Sequence, residues 1–151
     1  KKMCNWVDIL SALLTPMIAV FGSIIALQQW LTNKRRLKHE LFDRRFKAYD
    51  TAKNFLGHIY ASRFPTDEQV YYFRLNTIEC RFLFNEDMEK CFATWNTKAY
   101  ELKALHDELE PLPIGPARNE NIRKQREILD WFEKQQEVLI NMFTPYLKLK
   151  H

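Results

Sequence analysis

Four histidines, three cysteines and nineteen carboxylates are the side chains of this 151-residue chain that could carry chemistry, and their spacing decides what chemistry that could be. A zinc or di-iron centre draws its ligands from short-range pairs such as HxxxH, ExxH or CxxC, which point two donors at one ion. His39, His58, His106 and His151 are scattered and form no such pair, so they read as ordinary core or surface histidines. Cys80 and Cys91 stand eleven positions apart on predicted neighbouring helices, where core packing is the ordinary role and a redox pair would need a specific geometry. Three cysteines, at 4, 80 and 91, cannot all pair within one chain, and an odd, sparse set fits a reducing compartment.

Phosphate-cradling loops need glycines where the backbone approaches the ligand, and this chain has three glycines and no GxxxxGK, GxGxxG or GxSxG. The paired carboxylates Glu86/Asp87 and Glu108/Glu110 fall at predicted helix ends, where capping and solvation account for them. No catalytic residue, cofactor-binding residue or metal ligand is assigned, no cofactor is expected, and the chain reads as a non-enzyme.

Elements to position any site are nearly all helical. Few Gly and Pro, with plentiful Leu, Lys, Glu, Ala, Arg and Phe, favour an all-α class. Residues 7–27 read VDILSALLTPMIAVFGSIIAL with Asp8 as the sole charge, bracketed by Trp6 and Trp30. About 20 such residues cross the ~30 Å hydrocarbon core, so a transmembrane helix is expected over residues 6–32, after a short tail at 1–5. A cleaved signal peptide fits less well, since the run is long and lacks a small-x-small site. Ser11, Thr15, Ala19 and Ser23 recur every fourth residue and form a candidate self-association seam, giving a homo-oligomer through the span.

The charge is as localised as the apolarity. Formal net charge is +4, yet Lys34, Arg35, Arg36, Lys38, Arg44, Arg45 and Lys47 face only Glu40 and Asp43, and the remainder of the chain is slightly acidic. By the positive-inside rule this run puts residues 33–151 in the cytoplasm, with Lys34, Arg35, Arg36 and Lys38 on lipid headgroups of the bilayer. Aromatic residues beside the run follow the apolar stripe and no readout motif accompanies it, so no nucleic acid is expected.

After the span, the stripe Leu41/Phe42, Phe46, Tyr49, Lys53, Leu56, Tyr60 continues one helix until Phe64-Pro65 stops it. Thr66 caps a second helix carrying Tyr71, Leu75, Ile78 and Phe82; Asn85 opens a third with Met88, Phe92, Trp95, Ala99, Leu102, Leu105 and Leu109. The cluster of Pro111, Pro113, Gly115 and Pro116 turns the chain into a last helix, about 119–143, burying Ile128, Phe132, Leu139 and Met142 until Pro145. The expected fold is therefore an N-terminal transmembrane helix continuing into an antiparallel bundle of about four helices. Asp43 and Arg45, set between Leu41/Phe42 and Phe46, either pair across the bundle or contact a partner. Phe84, in the run Phe82-Leu83-Phe84, is a candidate docking residue beside them.

The succession of Thr15-Pro16, QQW, NKRRLKHELFDRRFKAY, ECRFLFNEDM, WF at 131–132 and FTPYL resembles a group of small bacterial membrane proteins of uncharacterised activity, over nearly the whole chain. The resemblance implies an inner-membrane location and a helical cytoplasmic domain; it implies no activity. Two functions follow as expectations: a membrane-anchored noncatalytic interaction or scaffold protein with an unknown protein partner, and a membrane-perturbing effector such as an antiphage defence or toxin component.

Overall fold

A computed structural model gives the backbone of residues 5–148, with the side chains of Leu14 and residues 16–148. Among the described residues every regular element is helical: α1 (Asn5–Ser62), α2 (Asp67–Thr77), α3 (Cys80–Leu83), α4 (Glu86–Leu109) and α5 (Pro116–Leu147). Two compact units divide the chain, Lys1–Glu40 and Leu41–His151, and α1 contributes to both.

In the first unit the expected transmembrane helix is overturned. Among the described residues no helix is long and apolar enough to cross a membrane. The described apolar run lies between Leu14 and Leu27, about 21 Å of helix against the ~30 Å that a crossing requires, and the polar pair Gln28-Gln29 follows it. The side chains of residues 6–13 in the expected span, Ser11 among them, and of Thr15 lie outside the described residues.

The second unit is a bundle, and its helix ends obey local chemistry. α1 closes where Arg63 turns to φ 67, with its N–H on Ile59 O at 2.9 Å, a left-handed stop just before Phe64-Pro65. Thr66 and Gln69 make the reciprocal capping box for α2: Gln69 N–H donates to Thr66 Oγ1 at 3.2 Å, and Thr66 N–H donates to Gln69 Oε1 at 2.9 Å. Asn85 Oδ1 accepts from Met88 N–H at 3.3 Å to open α4. Pro116 starts α5, a position that needs no N–H donor. Pro145 lies inside the last turn, where Lys148 N–H still reaches Thr144 O at 3.2 Å. A proline so near a helix end forfeits one backbone bond, and the helix continues past it to Leu147.

The core is aromatic and runs through all the major helices. Phe55 of α1 stacks on Phe73 of α2 with centroids 4.2 Å apart, Phe73 lies 5.9 Å from Trp95 of α4, and Phe92 meets Phe143 of α5 at 6.2 Å. Pairings of Phe92 with Phe143, Trp95 with Gln135 and Leu105 with Asn121 run in opposite chain order, so α4 and α5 are antiparallel. Tyr49 on Phe143 and Phe55 on Phe132 set α1 antiparallel to α5 in the same way.

Trp95 has 0% of its surface exposed and donates its indole N–H to Gln135 Oε1 at 3.1 Å. Gln135, itself buried, donates Nε2–H to Trp131 O at 3.2 Å, so neither amide group is stranded. About three turns away, Asn121 and Gln125 both donate to Leu105 O at 3.0 Å, which ties the α4–α5 reversal.

The expected α2–α3 stripe is out of phase with this core, and the expected α1 stripe meets it in part, through buried Leu56 and the packed Tyr49 and Tyr60. In α1 the buried residues are Ala48, Ala52, Phe55, Leu56 and Ile59, while Leu41 and Phe46 remain exposed. In α2 and α3 they are Val70, Phe73, Thr77 and Cys80, whereas Tyr71, Leu75, Ile78 and Phe82 face solvent. Thr77 can be buried because its hydroxyl bonds Phe73 O at 2.8 Å within its own helix. α4 and most of α5 keep the predicted phase.

Gln135→Leu preserves side-chain bulk and removes the acceptor, leaving the Trp95 N–H buried and unpaired. The expected loss is about 1–3 kcal/mol in urea unfolding followed by tryptophan fluorescence; an unchanged midpoint would show that the bond adds nothing.

Candidate functional site

Among the described residues no group of three or more His, Cys, Asp or Glu side chains could hold a metal ion. Cys80 is buried, and burial, with the nearby Glu79 carboxylate, pushes its thiol up to about 12. Cys91 is half-buried and also shifted upward, by burial, partly opposed by the neighbouring Trp95 indole. Both thiols are held protonated, the opposite of what a nucleophile or redox centre needs. Cys4 lies outside the described residues.

What the fold presents instead is exposed apolar surface, in each unit separately. In the first unit Leu14, Met17, Ile18, Val20, Phe21, Ile24, Ile25 and Leu27 are all exposed on α1. At about 100° per residue they occupy half of the helix circumference, and Ala19, Gly22, Ser23 and Ala26 lie on the other half. No charge interrupts residues 14–33. The stretch ends in a sharp polarity boundary, where Lys34 Nζ sits 5.3 Å from the Trp30 ring centroid and Arg36 Nε pairs with Glu40 at 2.9 Å. Arg35 and Lys38 are exposed beside them. Of the seam residues, Ala19 and Ser23 are exposed, and Ser23 Oγ donates to Ala19 O at 2.8 Å within the helix.

In the second unit the three expected docking residues part company. Phe84 turns inward onto Phe143 and Tyr146, with centroids 5.1 and 5.0 Å away. Arg45 lies over the same Tyr146 ring at 5.2 Å, its Nε buried without a hydrogen-bond partner. Asp43 is exposed on α1. The exposed member of the Phe82-Leu83-Phe84 run is Phe82, at 82%.

Phe82 belongs to a surface that the sequence reading assigned to the core. Tyr71, Leu75, Ile78 and Phe82 fall within a narrow arc, roughly 150° round the helix from the buried stripe. Next to them a cleft of about 480 Å³ opens between α2–α3 and α4, lined among others by Arg74, Ile78, Arg81, Asn96 and Tyr100. Arg81 pairs with Glu89 of α4, and among the described residues Arg74 makes no ion pair. Asn96 donates Nδ2–H to Phe92 O at 3.1 Å and leaves Oδ1 buried without a partner. A signal for this surface was present: Arg74 and Arg81 lie on one side of the stripe and Glu68 and Glu79 on the other, and an apolar stripe flanked by charges on both sides marks a face turned to water.

No protein-family model, no curated protein and no solved structure matches this chain.

Protonated and covered, Cys80 should resist alkylation by iodoacetamide near about pH 8 in the native protein and react once guanidinium unfolds it. Peptide mapping reads this directly. Native modification of Cys80 as fast as that of a free thiol would contradict the packing described.

Proposed function

We propose that this chain is a noncatalytic interaction protein attached to the inner face of a bacterial membrane through the apolar and basic stretch of α1, with the helical bundle as its docking module. The observation that carries this reading is the exposed, charge-free surface of residues 14–33 ending at Trp30 and the cations 34–38. A helix with large exposed apolar side chains over half its girth and no charge around it has no stable place in water and has to be covered. A bilayer covers it while matching each part of the boundary: acyl chains for the aliphatic side chains, the interface for the indole, anionic headgroups for Lys34, Arg35, Arg36 and Lys38.

Magnitudes assign the two parts different roles. A fully buried Leu, Ile or Phe side chain is worth roughly 1.5–3 kcal/mol, while each Lys or Arg near an anionic surface adds about 1 kcal/mol. The apolar face therefore supplies most of the binding, and the basic run supplies the preference for anionic lipid and the salt sensitivity. Protonated thiols and scattered histidines give the bundle no reactive group, which favours docking over catalysis.

Vesicle flotation tests the attachment. The full chain should float with phosphatidylglycerol vesicles and more weakly with phosphatidylcholine ones. Reversing Lys34, Arg35 and Arg36 to Glu should lower affinity for the anionic vesicles by about tenfold or more and leave the neutral ones almost unaffected; Ile18→Asp with Ile24→Asp should abolish both. Wild-type protein that fails to float with either vesicle would sink the reading.

A further inference from the structure

We draw no further inference here: the strongest candidate, the exposed apolar stripe of Leu75, Ile78 and Phe82 beside the cleft between α2–α3 and α4, is flanked by charges of both signs, and nothing in the structure shows what covers it.

Discussion

Trp95 must be covered on every side and still have its single N–H paired, and the bundle is organised by those two demands. The cover comes from Phe73 of α2 and Phe92 of its own helix, and through them from Phe55 of α1 and Phe143 of α5. The pairing comes from one atom, Gln135 Oε1. A hydrogen bond inside an apolar core acts as a register mark: sliding α5 by one residue strands both the indole and the carboxamide, and the cost of a buried unpaired donor exceeds what a good hydrogen bond gains. α4 and α5 are therefore locked lengthwise, and the shared acceptor Leu105 O, bound by Asn121 and Gln125, repeats the lock at their connected ends.

Once that core is closed, some apolar surface remains uncovered. In the first unit it surrounds α1 over the charge-free stretch; in the second it lies on the outer face of α2–α3, around Ile78 and Phe82. The first ends at cations, and the second has Arg74 and Arg81 on one side and Glu68 and Glu79 on the other. Scattered exposed leucines would ask for no account, but contiguous apolar faces ask for a cover.

Helix content, the breaks at Pro65 and around Gly115, and the caps Thr66 and Asn85 were legible in the sequence because each is local: a cap, a proline or a glycine acts within one turn. The phase of α4 was legible for a different reason, since only one of its faces is apolar. α2–α3 carries two apolar stripes, and no local rule says which is buried; the small residues Thr77 and Cys80 won because Phe73 has to reach Phe55 and Trp95. Phe84 and Arg45 were singled out from their neighbours in sequence, yet what joins them is Tyr146, about a hundred positions from Arg45 and visible only in the fold. The transmembrane expectation treated the apolar run as an uninterrupted length, and the described residues supply only part of that length.

The central claim is that the α1 stretch is completed by lipid while the bundle is complete by itself. Hydrogen–deuterium exchange of the full chain, with and without anionic vesicles, addresses both halves at once. A helix without tertiary cover opens readily, whereas amides behind a closed core exchange only through larger openings. Residues 16–31 should exchange rapidly in detergent-free buffer and become strongly protected on adding phosphatidylglycerol vesicles, with the slow amides around Trp95 and Gln135 unchanged. Protection of residues 16–31 without lipid, or no gain with it, would contradict the account.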